Sequence, residues 1–89
     1  MNKYYRIVHW QCYPEPREQD EDHFYDLVEM TCDEYGDYES FKVIVSYNWI
    51  GQLVDNAEAL GIVKMLREAL SKPILERKDL EKYGVTEER

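Results

Sequence analysis

Between Tyr38 and Trp49 the chain alternates. Phe41, Val43, Val45, Tyr47 and Trp49 fall on one side, and Ser40, Lys42, Ile44, Ser46 and Asn48 on the other. A period of two belongs to an extended strand, whose successive side chains point to opposite faces. Such a strand needs partners along its edges and a cover over its apolar face. These demands must be met within 89 residues, a length that supplies one core and not two.

Two segments are candidate partners. Residues 3–13 are rich in aromatic and β-branched types, as strands are. Tyr4, Val8, Trp10 and Cys12 make the more apolar face, interrupted by Arg6, while Tyr5, Ile7 and Tyr13 lie opposite. Pro14 and Pro16, which lack an N–H for a ladder, end this strand. Residues 23–34 fit two templates. As a strand, Phe24, Val28, Met30 and Cys32 share a face with Asp26; as a helix, Asp20 caps a stripe of Phe24, Leu27, Val28 and Thr31 that ends at Gly36. The strand is the preferred reading, and Glu34-Tyr35-Gly36-Asp37 then turns between two neighbouring strands as a hairpin.

The cover comes from the C-terminal half. Ile50–Val54 reads as a short fourth strand or a bulged strand end. Asp55 and Glu58 have the spacing of a capping box. Ala59, Ile62, Val63, Leu66, Ala69 and Leu70 then form one helical stripe over residues 57–71, ended by Pro73. A shorter helix is expected from Ile74 to Tyr83, before Gly84. The expected fold is α+β: a small antiparallel sheet of three to four strands, one main helix on one face, and a short C-terminal helix. It forms a single domain over residues 1–89, with 86–89 as a frayed tail. This arrangement leaves the other sheet face partly exposed, with Tyr5, Ile7, Tyr25, Leu27 and Ile44 on it, a surface for interaction unless a second helix or a homodimer partner covers it.

The charge is unevenly placed. The chain carries 11 Lys+Arg and 19 Asp+Glu, a net −8. Residues 40–89 are balanced, with eight basic and eight acidic side chains, and residues 1–14 contribute Lys3 and Arg6. Residues 15–39 hold eleven acids against Arg17 alone, a balance of −10. Like charges this close repel in a compact chain. Tyrosine and phenylalanine are interleaved with them, so the candidate binding residues are Glu18, Asp20, Glu21, Asp22, Phe24, Tyr25, Asp26, Glu29, Asp33, Glu34, Tyr35, Asp37, Tyr38 and Glu39. Amphipathic rings among carboxylates suit the Arg and Lys side chains of a basic protein groove. Direct binding to nucleic acid is not expected, because that needs cations against phosphate.

In size and in this charge distribution the chain resembles small phage-encoded inhibitors of nucleic-acid enzymes, such as anti-CRISPR proteins and other DNA mimics. The resemblance is one of composition, with no shared motif. It implies a non-enzymatic acidic protein that blocks the nucleic-acid groove of a basic partner, acting in a host cytoplasm. The alternative is a small self-associating structural or adaptor module that uses the exposed sheet face, its acid serving solubility.

Other chemistry finds little support. His9, Cys12, His23 and Cys32 are zinc-ligand types, but His9 and Cys12 would point to opposite faces of a strand, and neither CxxC nor HxxxH occurs. Asp20-Glu21-Asp22 starts like a calcium loop, yet Phe24 and Tyr25 stand where the third ligand and the glycine belong. Phosphate-binding loops and nucleophile elbows are absent, and the four glycines are dispersed. No cofactor, metal or catalytic residue is therefore expected. His23, among Glu21, Asp22 and Asp26, is a candidate pH-sensitive element of the acidic surface. Cys12 and Cys32 read as thiols of a reducing compartment. No apolar run approaches the ~20 residues of a membrane span, and the residues after Met1 offer no signal-peptide core, so the expected location is the cytoplasm.

Overall fold

The computed structural model describes residues 2–11 and 23–88. Three ten-residue strands, β1 (Asn2–Gln11), β2 (His23–Cys32) and β3 (Tyr38–Tyr47), pair antiparallel in chain order. Residues 23–32 are thus a strand, as preferred. Two helices follow, α1 (Ile50–Leu60) and α2 (Val63–Leu70). The chain then runs through β4 (Leu75–Glu76), α3 (Arg77–Lys82) and β5 (Thr86–Glu87). The sheet order is β4-β1-β2-β3-β5, with both outer pairs parallel. The fold is α+β, and its mostly antiparallel sheet has five strands rather than three or four.

Helix α1 starts at Ile50, not after Asp55. Trp49 stands at its N-cap with no side-chain cap hydrogen bond, and residues 50–54 are helical rather than extended. This start places Ile50, Leu53 and Ala57 on one face against the sheet, at offsets 0, 3 and 7. The expected single helix over 57–71 is divided at Gly61, which has φ +70°. The Gly61 N–H reaches the Glu58 carbonyl and the Ile62 N–H the Ala57 carbonyl, the pair of bonds that ends a helix through a left-handed residue. The break turns the stripe: Ile62, Leu66 and Ala69 are buried, whereas Ala59, Val63 and Leu70 face solvent.

Helix α3 begins at Arg77, because Leu75–Glu76 is taken up in β4 beside Val8 and His9. It ends with the same two bonds as α1, from Gly84 N–H to Glu81 and from Val85 N–H to Leu80. Val85 is thereby turned into the core. Thr86–Glu87 continues as β5 along β3, and the Glu88 N–H donates to the Phe41 carbonyl at 2.7 Å. Of the residues expected as a frayed tail, Thr86 and Glu87 are strand and Glu88 is bonded to β3, while Arg89 lies outside the described residues.

Both faces of the sheet are covered. Helices α1 and α2 bury Ile7 and Leu27, with Tyr5 and Tyr25 packed at the margin. On the opposite face α3 and Val85 cover Val8, Val28, Met30 and Phe41. The face of Tyr5, Ile7, Tyr25 and Leu27, expected to be uncovered, is the face that α1 and α2 cover, and the C-terminal segment returns to close the side they leave open. Ile44 alone of that set remains 36% exposed.

Ile44 has a particular place. The register runs Val28↔Val43 and then Leu27↔Val45, so Ile44 has no partner and forms a β-bulge. An extra residue offsets the alternation by one. Phe41 and Val43 therefore pack on the α3 face, and Val45 and Tyr47 on the α1–α2 face. The alternation that reads as one apolar face in the sequence serves both faces of the sheet.

The outer edges of the long strands are also covered. Beyond β4, the Tyr5 N–H donates to the Glu68 carboxylate of α2 at 2.6 Å. Beside β5, the Ser40 hydroxyl donates to the Glu88 carboxylate at 2.8 Å. Unpaired backbone groups on a long edge strand invite pairing with another chain, and these contacts remove part of that invitation.

Candidate functional site

The acidic residues divide into three groups. Glu18, Asp20, Glu21 and Asp22 lie outside the described residues, as do Glu15 and Arg17. A second group serves the fold. Asp26 is 2% exposed and accepts a hydrogen bond from the Ser46 hydroxyl, its strand partner, so it offers no charge to a ligand and leaves the candidate set. Glu29 is engaged on the sheet surface by Lys3 at 3.1 Å and by the Tyr5 hydroxyl at 3.3 Å. Asp33 Oδ1 accepts the N–H groups of Tyr35 and Asp37, at 2.9 and 3.0 Å.

Most of the aromatic candidates are also committed. Phe24 stacks on Trp10 with ring centroids 4.6 Å apart, and the Arg77 guanidinium lies over the other ring system at 5.2 Å from the Trp10 centroid. Tyr25 packs beside His9. The Tyr38 hydroxyl accepts a hydrogen bond from Arg6 Nη1 at 2.6 Å. Arg6, which interrupts the apolar face of β1, is buried, and its Nη2 donates to the Pro73 carbonyl at 2.7 Å.

The third group forms a surface. Glu34, Tyr35, Asp37 and Glu39 are exposed at the β2–β3 turn. Tyr35 is 81% exposed. The turn is held by backbone bonds from Asp33 N–H to the Asp37 carbonyl and from Gly36 N–H to the Asp33 carbonyl, with the Asp33 carboxylate closing it inside. Gly36, at φ +84°, supplies the left-handed residue that a three-residue hairpin loop requires. Glu39 projects next to a second register shift, between Thr31 and Cys32. The result is a fixed loop that carries the Tyr35 ring, Glu34 and Asp37, with exposed Glu39 following on β3. It stands at the far end of β2 from His23, roughly 30 Å away for ten residues at strand spacing.

A second cluster was not legible beforehand. His9 Nδ1 lies 2.8 Å from the Glu76 carboxylate and His9 Nε2 2.7 Å from His23 Nδ1. Glu76 accepts from His9 Nδ1–H, and His9 Nε2 and His23 Nδ1 share one hydrogen bond whose direction follows the tautomer. The ring centroids are 5.0 Å apart at 16°, the separation of two rings joined edge to edge through one nitrogen–nitrogen bond. A metal ion would need the two lone pairs to converge on a third point instead of facing each other. Among the described residues no group of three or more ligand side chains could hold a metal ion. The cluster ties β4, β1 and β2 together. Its signal lay in the register: antiparallel pairing of residues 2–11 with 23–32 puts both histidines on the same face.

Among the described residues three groups are shifted, all upward. Burial raises the Cys32 thiol above its ordinary 9.0, helped by Asp33 and Asp37. Burial and then the Glu29 carboxylate raise the Tyr5 phenol above 10.0, and a hydrogen bond and charge from the same Glu29 raise Lys3 above 10.5. Each group keeps its proton in the folded chain at a pH where the unfolded chain releases it. The folded state then binds more protons, and stability falls as pH rises above 9.0, the lowest of these ordinary values. The expected result is a urea midpoint that is level near neutral pH and decreases above pH 9.0. Glu29→Gln should flatten the portion due to Lys3 and lessen that due to Tyr5, whose larger cause is burial, and an unchanged slope in that variant would contradict the assignment.

Comparison with protein-family models, with curated proteins and with solved structures gives no match to this chain. Among the described residues no helix is long and apolar enough to cross a membrane.

Proposed function

We propose that this protein is a non-enzymatic acidic binding protein that docks on a basic, nucleic-acid-binding surface of another protein and blocks it. The observation that carries this reading is the β2–β3 turn: Tyr35 is 81% exposed among Glu34, Asp37 and Glu39, on a loop already held in one conformation by Asp33. A large aromatic side chain in water, ringed by carboxylates with no lysine or arginine from residue 23 to 39, suits stacking and ion pairing with arginines. A preformed loop loses little conformational freedom on binding. The five acids of residues 15–22 add to the field that draws a basic partner in, and this attraction weakens with salt.

The test is capture of partners from a nuclease-treated bacterial lysate across a salt series, with identification by mass spectrometry. Proteins with basic nucleic-acid grooves should be retained at low salt and lost at high salt. Reversal of Glu34, Asp37 and Glu39 to lysine should lower retention by roughly two orders of magnitude, the loss of two to three charge pairs at about 1–2 kcal/mol each. Reversal of Asp20, Glu21 and Asp22 should reduce it further. Retention indifferent to both reversals would refute the proposal.

A further inference from the structure

Helices α1 and α2 meet at the Gly61 break and enclose an open groove of about 570 Å³ on the side away from the sheet. Its floor is Ala57 and Leu66, both in the core. Around them stand Val54, Val63 and Leu70, exposed by 49, 39 and 45%. Along α2 the groove residues Val63, Leu66, Arg67 and Leu70 follow the i, i+3, i+4, i+7 pattern of a helix prepared to meet another helix. Nothing among the described residues covers it.

We propose that the occupant of this groove is the same groove of a second copy, which makes the protein a two-fold symmetric dimer. Two observations favour a copy over a foreign chain. The walls are opposite in charge, with Asp55 and Glu58 on α1 and Arg67 on α2. A two-fold axis across the groove sets the acidic wall of each copy against the basic wall of the other, the self-complementarity that an isologous interface demands. The groove also lies in residues 40–89, whose eight basic and eight acidic side chains cancel, so two chains of net −8 meet there through their balanced part. A strongly basic partner would be drawn instead to residues 15–39. Dimerisation would carry two Tyr35 turns on one particle and does not depend on what those turns bind.

Sedimentation velocity over a wide range of chain concentration tests this. The wild-type chain should pass from monomer to dimer as concentration rises. Val63→Glu combined with Leu70→Glu should leave it monomeric, with an unchanged circular dichroism spectrum, since both side chains are already solvent-exposed. Arg67→Glu should weaken the dimer by roughly tenfold or more, by setting like charges against each other. Glu58→Arg added to Arg67→Glu should restore it, which a merely destabilised chain would not do. A chain that stays monomeric throughout, a dimer indifferent to the Val63/Leu70 variant, or a monomer that takes a cationic amphipathic helical peptide into the groove would each overturn the proposal.

Discussion

Deletion of Ile44 should abolish folding, while Ile44→Thr should leave the chain folded with a loss below about 1 kcal/mol. Ile44 is the unpaired residue of the β3 bulge. Without it the strand returns to strict alternation, and either Val45 and Tyr47 or Phe41 and Val43 must turn to the wrong face. Two large side chains then leave the core, at roughly 1.5–3 kcal/mol each. Domains of this size have roughly 5–10 kcal/mol in all, and the broken pairing to β2 adds to the loss. Ile44→Thr keeps the residue count, and so keeps every other side chain on its face. Circular dichroism and urea titration distinguish the two outcomes. A folded deletion variant with the wild-type midpoint would mean that the bulge does not set the two cores.

Arg6→Ala should cost about 3 kcal/mol, far more than a surface arginine. The Arg6 guanidinium is buried and donates to the Tyr38 hydroxyl at 2.6 Å and to the Pro73 carbonyl at 2.7 Å. It therefore joins β1 to the start of β3 and to the link between α2 and β4. Hydrogen bonds from a charged donor contribute about 1.5–3 kcal/mol each, and some of this returns as water reaches the two acceptors. Arg6→Met should cost less, about 1–2 kcal/mol, because the aliphatic stem still fills its space and a buried charge is removed. The urea midpoints of the two variants should fall in that order. Equal losses would show that packing, not the two hydrogen bonds, accounts for the role of Arg6.

The candidate site was legible only in part. Glu34, Tyr35 and Asp37 can be read from sequence as a turn between two strands, and the structure has that turn, with Glu39 next to it near the start of β3. Asp26 cannot be told from its neighbours by type or spacing; only the pairing with Ser46 shows it as a buried acid. Glu29 and Asp33 are acidic in composition but occupied in the fold, one by Lys3 and Tyr5 and the other by the backbone of its own turn. The Glu76–His9–His23 chain spans residues far apart in sequence, so no local spacing announces it.

The same division runs through the fold. Alternation in residues 38–47, the aromatic and β-branched run of β1 and the helical pattern of Ile62, Leu66 and Ala69 are local properties of the chain, and the sequence alone determined strands and helix from them. The concentration of the net negative charge in residues 15–39 is likewise a matter of order along the chain. Which face each apolar residue covers was decided by tertiary structure. One unpaired residue at Ile44 divides an apparently single face between two cores, because strand periodicity has no tolerance for an inserted residue. The return of α3, Val85 and β5 to the sheet closes the face that local patterns leave open. Burial is a relation between distant segments, and no window of sequence contains both of its sides.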